Sequence, residues 1–124
     1  MIAQKSFDIA SAVKNIDLER IEWKVRNNQY KPEMNNDEIS SAINQYRRYL
    51  TLKIRYPNVN LVPTDDIDLI WHTHILDTEN YATDCKKLFG RYLHHKPYFG
   101  DHGDETQDEM GEFFHQTSDL WNKE

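Results

Sequence analysis

The sequence predicts an all-α protein, a single domain of four or five helices around an aromatic-rich core. Three observations predict it. Apolar residues recur at helical spacing along almost the whole chain. Capping residues and prolines fall where those apolar stripes begin and end. And 124 residues with three Trp, seven Tyr and five Phe are enough to bury a core of their own, about two-thirds of the surface of the unfolded chain.

The first segment carries two apolar faces. Ile9, Val13 and Ile16 share one, and Leu18, Ile21 and Val25 share another, offset near Asp17. One bent helix or two short ones would satisfy this, ending near "NNQYKP" with Asn28 and Pro32 as stop signals. In the second, "NNDEISSAINQYRRYLTLKIRYP", Asn36 is the expected N-cap, and Asp37 and Glu38 sit in the positive first turn. Its stripe runs through Ile39, Ala42, Ile43, Tyr46, Leu50 and Ile54, and Pro57 ends it.

"NVNLVP" reads as extended chain leading to Thr64, the cap expected for "DDIDLIWHTHIL". Asp77 is the next expected cap, with Asn80 three residues on. "TENYATDCKKLF" should turn Tyr81, Cys85 and Leu88 inward, with Phe89 at the margin, and close at Gly90, which suits the left-handed turn after a helix. "RYLHHKPYFGDHGDE" reads as an irregular connection. The last helix should bury Met110, Phe113, Phe114, Thr117, Leu120 and Trp121 and leave His115 outside.

Composition restricts function. The net charge is -6, with ten Lys/Arg and seven Asp/Glu in residues 1–60 but one Lys and eight Asp/Glu in residues 101–124. An acidic chain is a poor general phosphate binder. The basic "YRRYLTLKIRY" stretch is better read as Tyr and Leu facing a core while Arg and Lys stay solvated, so nucleic acid is not an expected partner. Cys85 is the single cysteine, so no internal disulfide can form and a reducing compartment is expected. Neither a secretory leader nor an apolar run of the ~20 residues a membrane span needs is visible. The expectation is a cytoplasmic protein without a membrane partner. Phosphate loops, dinucleotide fingerprints, Cys-x-x-Cys pairs and nucleophile elbows are not found. "GDHGDE" lacks the spacing of a calcium loop.

The chemistry-bearing stretch is "DLIWHTHIL", residues 68–76. On a helix, with about 100° per residue, His72 and His74 lie about 200° apart and cannot grip one metal from an unbroken turn. His74 falls among Ile67, Ile70 and Trp71 and should point inward. His72 lies near the edge, one turn beyond Asp68, close enough for an i,i+4 pair. Five of the six histidines fall within residues 72–102. Two readings stay open. In one, His72, His74 and His95, with Asp68 beside them, form a site for zinc or another divalent metal, with hydrolysis as the activity such a site suits. In the other, the cluster is a structural polar network and the protein is a non-enzymatic module with a protein partner.

"LVPTDDIDLIWHTHILDTENYATDCKKLFGRYLHHKPYF" also resembles the glycine-rich domain-containing protein-like family. The resemblance rests on Val62, Pro63, Asp68, Leu69, Trp71, His72, His74, Tyr81, Gly90 and His95, with His94 the alternative for the last position. The preceding "YRRYLTLKIRYP" and the closing "FFHQTSDLW" are similar too, so the likeness covers about residues 40–122. That family has no established reaction, and the resemblance implies no particular activity.

Overall fold

The computed structural model describes residues 9–28, 34–95 and 107–123. They form six helices and no strand: α1 (Ile9–Lys14), α2 (Glu19–Asn28), α3 (Asn36–Arg55), α4 (Asp65–Leu76), α5 (Thr78–Phe89) and α6 (Gln107–Lys123). The protein is all-α, with more helices than the four or five expected because the first segment breaks in two. Ile16 and Leu18 are both buried on either side of the break. Two successive apolar faces can reach one core only if the chain turns between them. Pro32, and Pro97, Gly100, Gly103 and "GDHGDE" from the irregular connection, lie outside the described residues.

The 20-residue α3 is the central element and packs against α1, α2 and α4. Its cap is Asn35 rather than the expected Asn36. The Asn35 side chain accepts from the Glu38 N–H at 2.8 Å, and Glu38 Oε1 accepts from the Asn35 N–H at 2.9 Å. This reciprocal box satisfies two donors at the helix start. Asn36 instead accepts from Arg26 Nη1 at 2.6 Å, which ties α2 to α3. The expected stripe is buried except for Ile54, which is half-buried, and it is wider than expected because Tyr49 and Leu52 are buried as well. Neighbours on both flanks of α3 explain that width.

The basic cluster on α3 is not simply solvated. Arg47 donates to the carbonyls of Val13 (2.8 Å), Lys14 (3.3 Å) and Ile16 (2.9 Å) at and just beyond the end of α1, where helical partners run out. Arg48 lies 4.3 Å from the centroid of the Trp121 ring and donates to the Trp121 carbonyl. Lys53 Nζ stands 5.7 Å from the rings of both Tyr49 and Trp71.

α5 follows α4 after Asp77 alone. Tyr81, Cys85 and Leu88 are buried, Phe89 is half-buried, and Gly90 closes the helix at φ +74°. On α6 one expectation fails. Phe114 is 61 % exposed, while Thr117 is buried and Met110, Phe113, Leu120 and Trp121 are half-buried. A polar bond turns the helix this way: Thr117 Oγ1 accepts from the Val62 N–H at 2.8 Å and donates to the Phe113 carbonyl at 2.8 Å. That leaves Phe114 at the margin of the stripe, over a groove it shares with Ile67 and Trp121. His115 is exposed, as expected.

Candidate functional site at the Trp-His-x-His segment

α4 begins at Thr64, whose hydroxyl accepts from the Ile67 N–H at 3.2 Å, and Asp65, Asp66 and Asp68 occupy its first turn. Carboxylates there offset the positive end of the helix dipole. The helical period then distributes the motif. Ile67, Ile70, Trp71 and His74 are buried, together with Thr73, and His72 is exposed. A helix with an apolar middle would ordinarily exclude an imidazole. His74 is held because neighbouring helices supply partners for both ring nitrogens.

Those partners are Tyr46 on α3 and Asp84 on α5. The Tyr46 hydroxyl lies 2.8 Å from Nδ1 of His74, and Asp84 Oδ2 lies 2.8 Å from Nε2. Tyr46 is fully buried, and burial pushes its phenol well above the ordinary value. It therefore keeps its proton and donates it to Nδ1. The ring proton then sits on Nε2 and is donated to Asp84. His74 is neutral in this arrangement. Burial lowers its pKa from the usual imidazole value, and the Asp84 carboxylate only partly opposes that. Tyr46 and Tyr81 both stand edge-on to the imidazole, with centroids 5.7 and 4.9 Å away.

Trp71 enters a second chain of bonds. Its indole N–H donates to the Tyr81 hydroxyl at 2.9 Å, and that hydroxyl donates to the Leu93 carbonyl at 2.5 Å. The segment after Gly90 is thereby fastened to the motif helix. Burial raises the Tyr81 phenol pKa, so the hydroxyl stays a donor. Tyr49 serves the other side, donating to the Leu61 carbonyl at 2.9 Å.

The fastening places His95 over Trp71, with ring centroids 4.3 Å apart. His95 Nε2 lies 2.5 Å from Asp68 Oδ1, in a contact where the His95 side chain is 21 % exposed and Asp68 47 %. A small cavity of about 90 Å³ adjoins it, lined by Tyr49, Lys53, Pro63, Trp71, His94 and His95 among others.

Of the sequence-derived site residues, the structure brings Asp68 and His95 together. His74 is engaged in a separate, buried network, and His72 faces outward. Asp68 pairs with His95, 27 residues away, in place of the expected i,i+4 partner His72. His95 rather than His94 makes that contact; His94 is exposed and its ring lies tilted against Tyr92, with centroids 4.8 Å apart. Among the described residues, no group of three or more His, Cys, Asp or Glu is arranged to hold a metal ion. Two participants escaped the sequence reading. Tyr46 was legible only as part of an apolar stripe. Asp84 carried no local signal, because its role depends on how α5 lies against α4.

Comparison with known proteins agrees with the resemblance expected from this segment. Glycine-rich domain-containing protein 1 of Arabidopsis thaliana is 34 % identical over 87 residues, 67 % of this chain and 10 % of that protein. Glycine-rich domain-containing protein 2 of the same plant is 39 % identical over 61 residues, 46 % of this chain and 8 % of that protein. The chain thus spans about a tenth or less of the length of these curated relatives. No solved structure matches it. A family model described as UCP032817-like matches residues 11–117, from within α1 to the Thr117 contact of α6. The chain therefore belongs to the UCP032817-like family.

Proposed function

We propose that the chain works as one helical, non-enzymatic interaction domain in which the Trp-His-x-His motif is architectural. The carrying observation is that both ring nitrogens of His74 are committed within the fold, to Tyr46 and Asp84. A saturated neutral imidazole, 2 % exposed, has no lone pair for a metal and no free proton for a substrate. It joins α3, α4 and α5, and satisfied buried networks of this kind specify one packing over its alternatives. Support for a protein partner comes from apolar surface left outside. Trp23 is 64 % exposed and Leu76 54 %, and both line one depression between α2 and the end of α4. Among the described residues no helix is long and apolar enough to cross a membrane. The single, buried Cys85 suits a reducing compartment, and on that ground the cytoplasm is the proposed location.

A second reading has its own observation. Asp68 takes Nε2 of His95, which is how a carboxylate orients an imidazole whose other nitrogen meets a divalent metal. In that reading Asp68 and His95 belong to a zinc-type, hydrolytic site.

Thermal melts of wild type, His74→Ala and His95→Ala, with and without zinc, separate the two. The architectural reading expects no response to zinc and a Tm several degrees lower for His74→Ala, since Tyr46 and Asp84 lose their buried partner. A wild-type Tm raised by zinc, with the rise lost in His95→Ala, overturns it in favour of the metal.

A further inference from the structure

A cleft of about 440 Å³ opens between the 15–17 turn, the start of α2 and α5. That volume lies within the range of about 300–1,000 Å³ typical of small-molecule sites. Ala12, Ile16, Ile21 and Leu88 supply apolar wall. The polar feature at depth is Asp84, whose side chain is 15 % exposed, backed by His74 at 3 %.

Among the described residues, behind Asp84 stands His74 and no hydrogen-bonded cation; Arg47, close enough to oppose a charge on His74, donates instead to the carbonyls of Val13, Lys14 and Ile16. Because Tyr46 donates to Nδ1, His74 can offer Asp84 only the N–H of a neutral ring. That bond occupies Oδ2, and Oδ1 takes no hydrogen bond among the described residues. The other two acids at the cleft differ from Asp84: Asp17 is exposed to water, and Asp77 has a cation beside it. Asp17 Oδ1 accepts from the Glu19 N–H at 2.9 Å. Asp77 accepts from Asn80 at 2.8 Å and has Arg20 at 4.0 Å. The two cations, Arg20 and Lys87, are exposed at the rim, where water and salt screen them. A partly desolvated carboxylate with one free oxygen, facing apolar wall, is matched by a cation that brings its own hydrocarbon.

We propose that this cleft binds a small organic ammonium compound, its –NH3+ on Asp84 and its hydrocarbon body against Ile16, Ile21 and Leu88. The site is separate from the Asp68–His95 pair and does not depend on how the motif's function is read.

Hexylammonium, hexanol and hexanoate serve as probes in amide chemical-shift titrations of the full chain. The expected result is saturable shifts with hexylammonium, centred on the 15–17 turn and α5, and binding of hexanol and hexanoate weaker by about tenfold or more, the equivalent of one charged hydrogen bond. Asp84→Asn keeps an oxygen for Nε2–H, so the fold should persist while hexylammonium affinity falls by a similar factor. Thr83→Trp, an exposed position on the cleft wall, should block all binding without touching the His74 network. No saturable shift with hexylammonium, equal binding of hexanol, or unchanged affinity in either folded variant overturns the proposal.

Discussion

Nε2 of His74 lies 2.8 Å from Oδ2 of Asp84, ten residues further along the chain, a contact between α4 and α5 that holds a neutral imidazole under α5. Its physical consequences can be measured without knowing any ligand.

The first is a pH dependence of stability. The folded His74 has its pKa lowered by burial, whereas the unfolded residue takes a proton near about 6.5. Between the two values the unfolded chain binds more protons than the folded one. Stability is therefore undiminished above about 6.5 and falls as pH drops below it. Urea unfolding from pH 8 to pH 5 should show a steeper loss for wild type than for His74→Gln. Parallel curves would mean that His74 is charged, or open to water, in the folded protein.

Two apolar substitutions should differ sharply. Ile70 is fully buried on α4, and Ile70→Ala should destabilise the protein by about 2–5 kcal/mol. Phe114, 61 % exposed, should tolerate alanine at a cost of about 0.5 kcal/mol. Chemical denaturation measures both. A large loss for Phe114→Ala would show that its ring is covered in solution.

Cys85 is 2 % exposed, and burial raises its thiol pKa. Little thiolate forms near neutral pH and little of it can be reached. A thiol reagent should label the native protein slowly and the urea-unfolded protein at once. Equally fast labelling in both states would place Cys85 at the surface.

Much of the helical framework was legible because it is local. Thr64, the acids after it and the 3.6-residue spacing of Ile67, Ile70, Trp71 and His74 define α4 within a dozen residues, and Gly90 marks the end of α5 by the backbone conformation it permits. The cap of α3 lies one residue before the expected one because Asn35 and Asn36 are chemically equivalent as caps. What separates them is Arg26, which reaches Asn36 from α2. The turn of α6 at Phe114 departs from the periodic expectation for a related reason. A hydrophobic count weighs a phenyl ring above a threonine, but the Val62 N–H needed an acceptor, and Thr117 provided it.

By itself, then, the sequence determined the all-α class, the approximate extent of the helices from α3 onward, and that His74 points inward while His72 lies nearer the surface; it left open whether the first segment is one helix or two. These follow from backbone sterics, capping and periodicity, whose range is one or two helical turns. The tertiary structure alone decided the partners. Tyr46 stands 28 residues before His74 and Asp84 ten after it, and His95 crosses 27 residues to reach Asp68. Nothing local distinguishes those side chains from others of their type. Their roles arise when helix packing removes water from around an imidazole and leaves only particular hydroxyls and carboxylates within bonding distance.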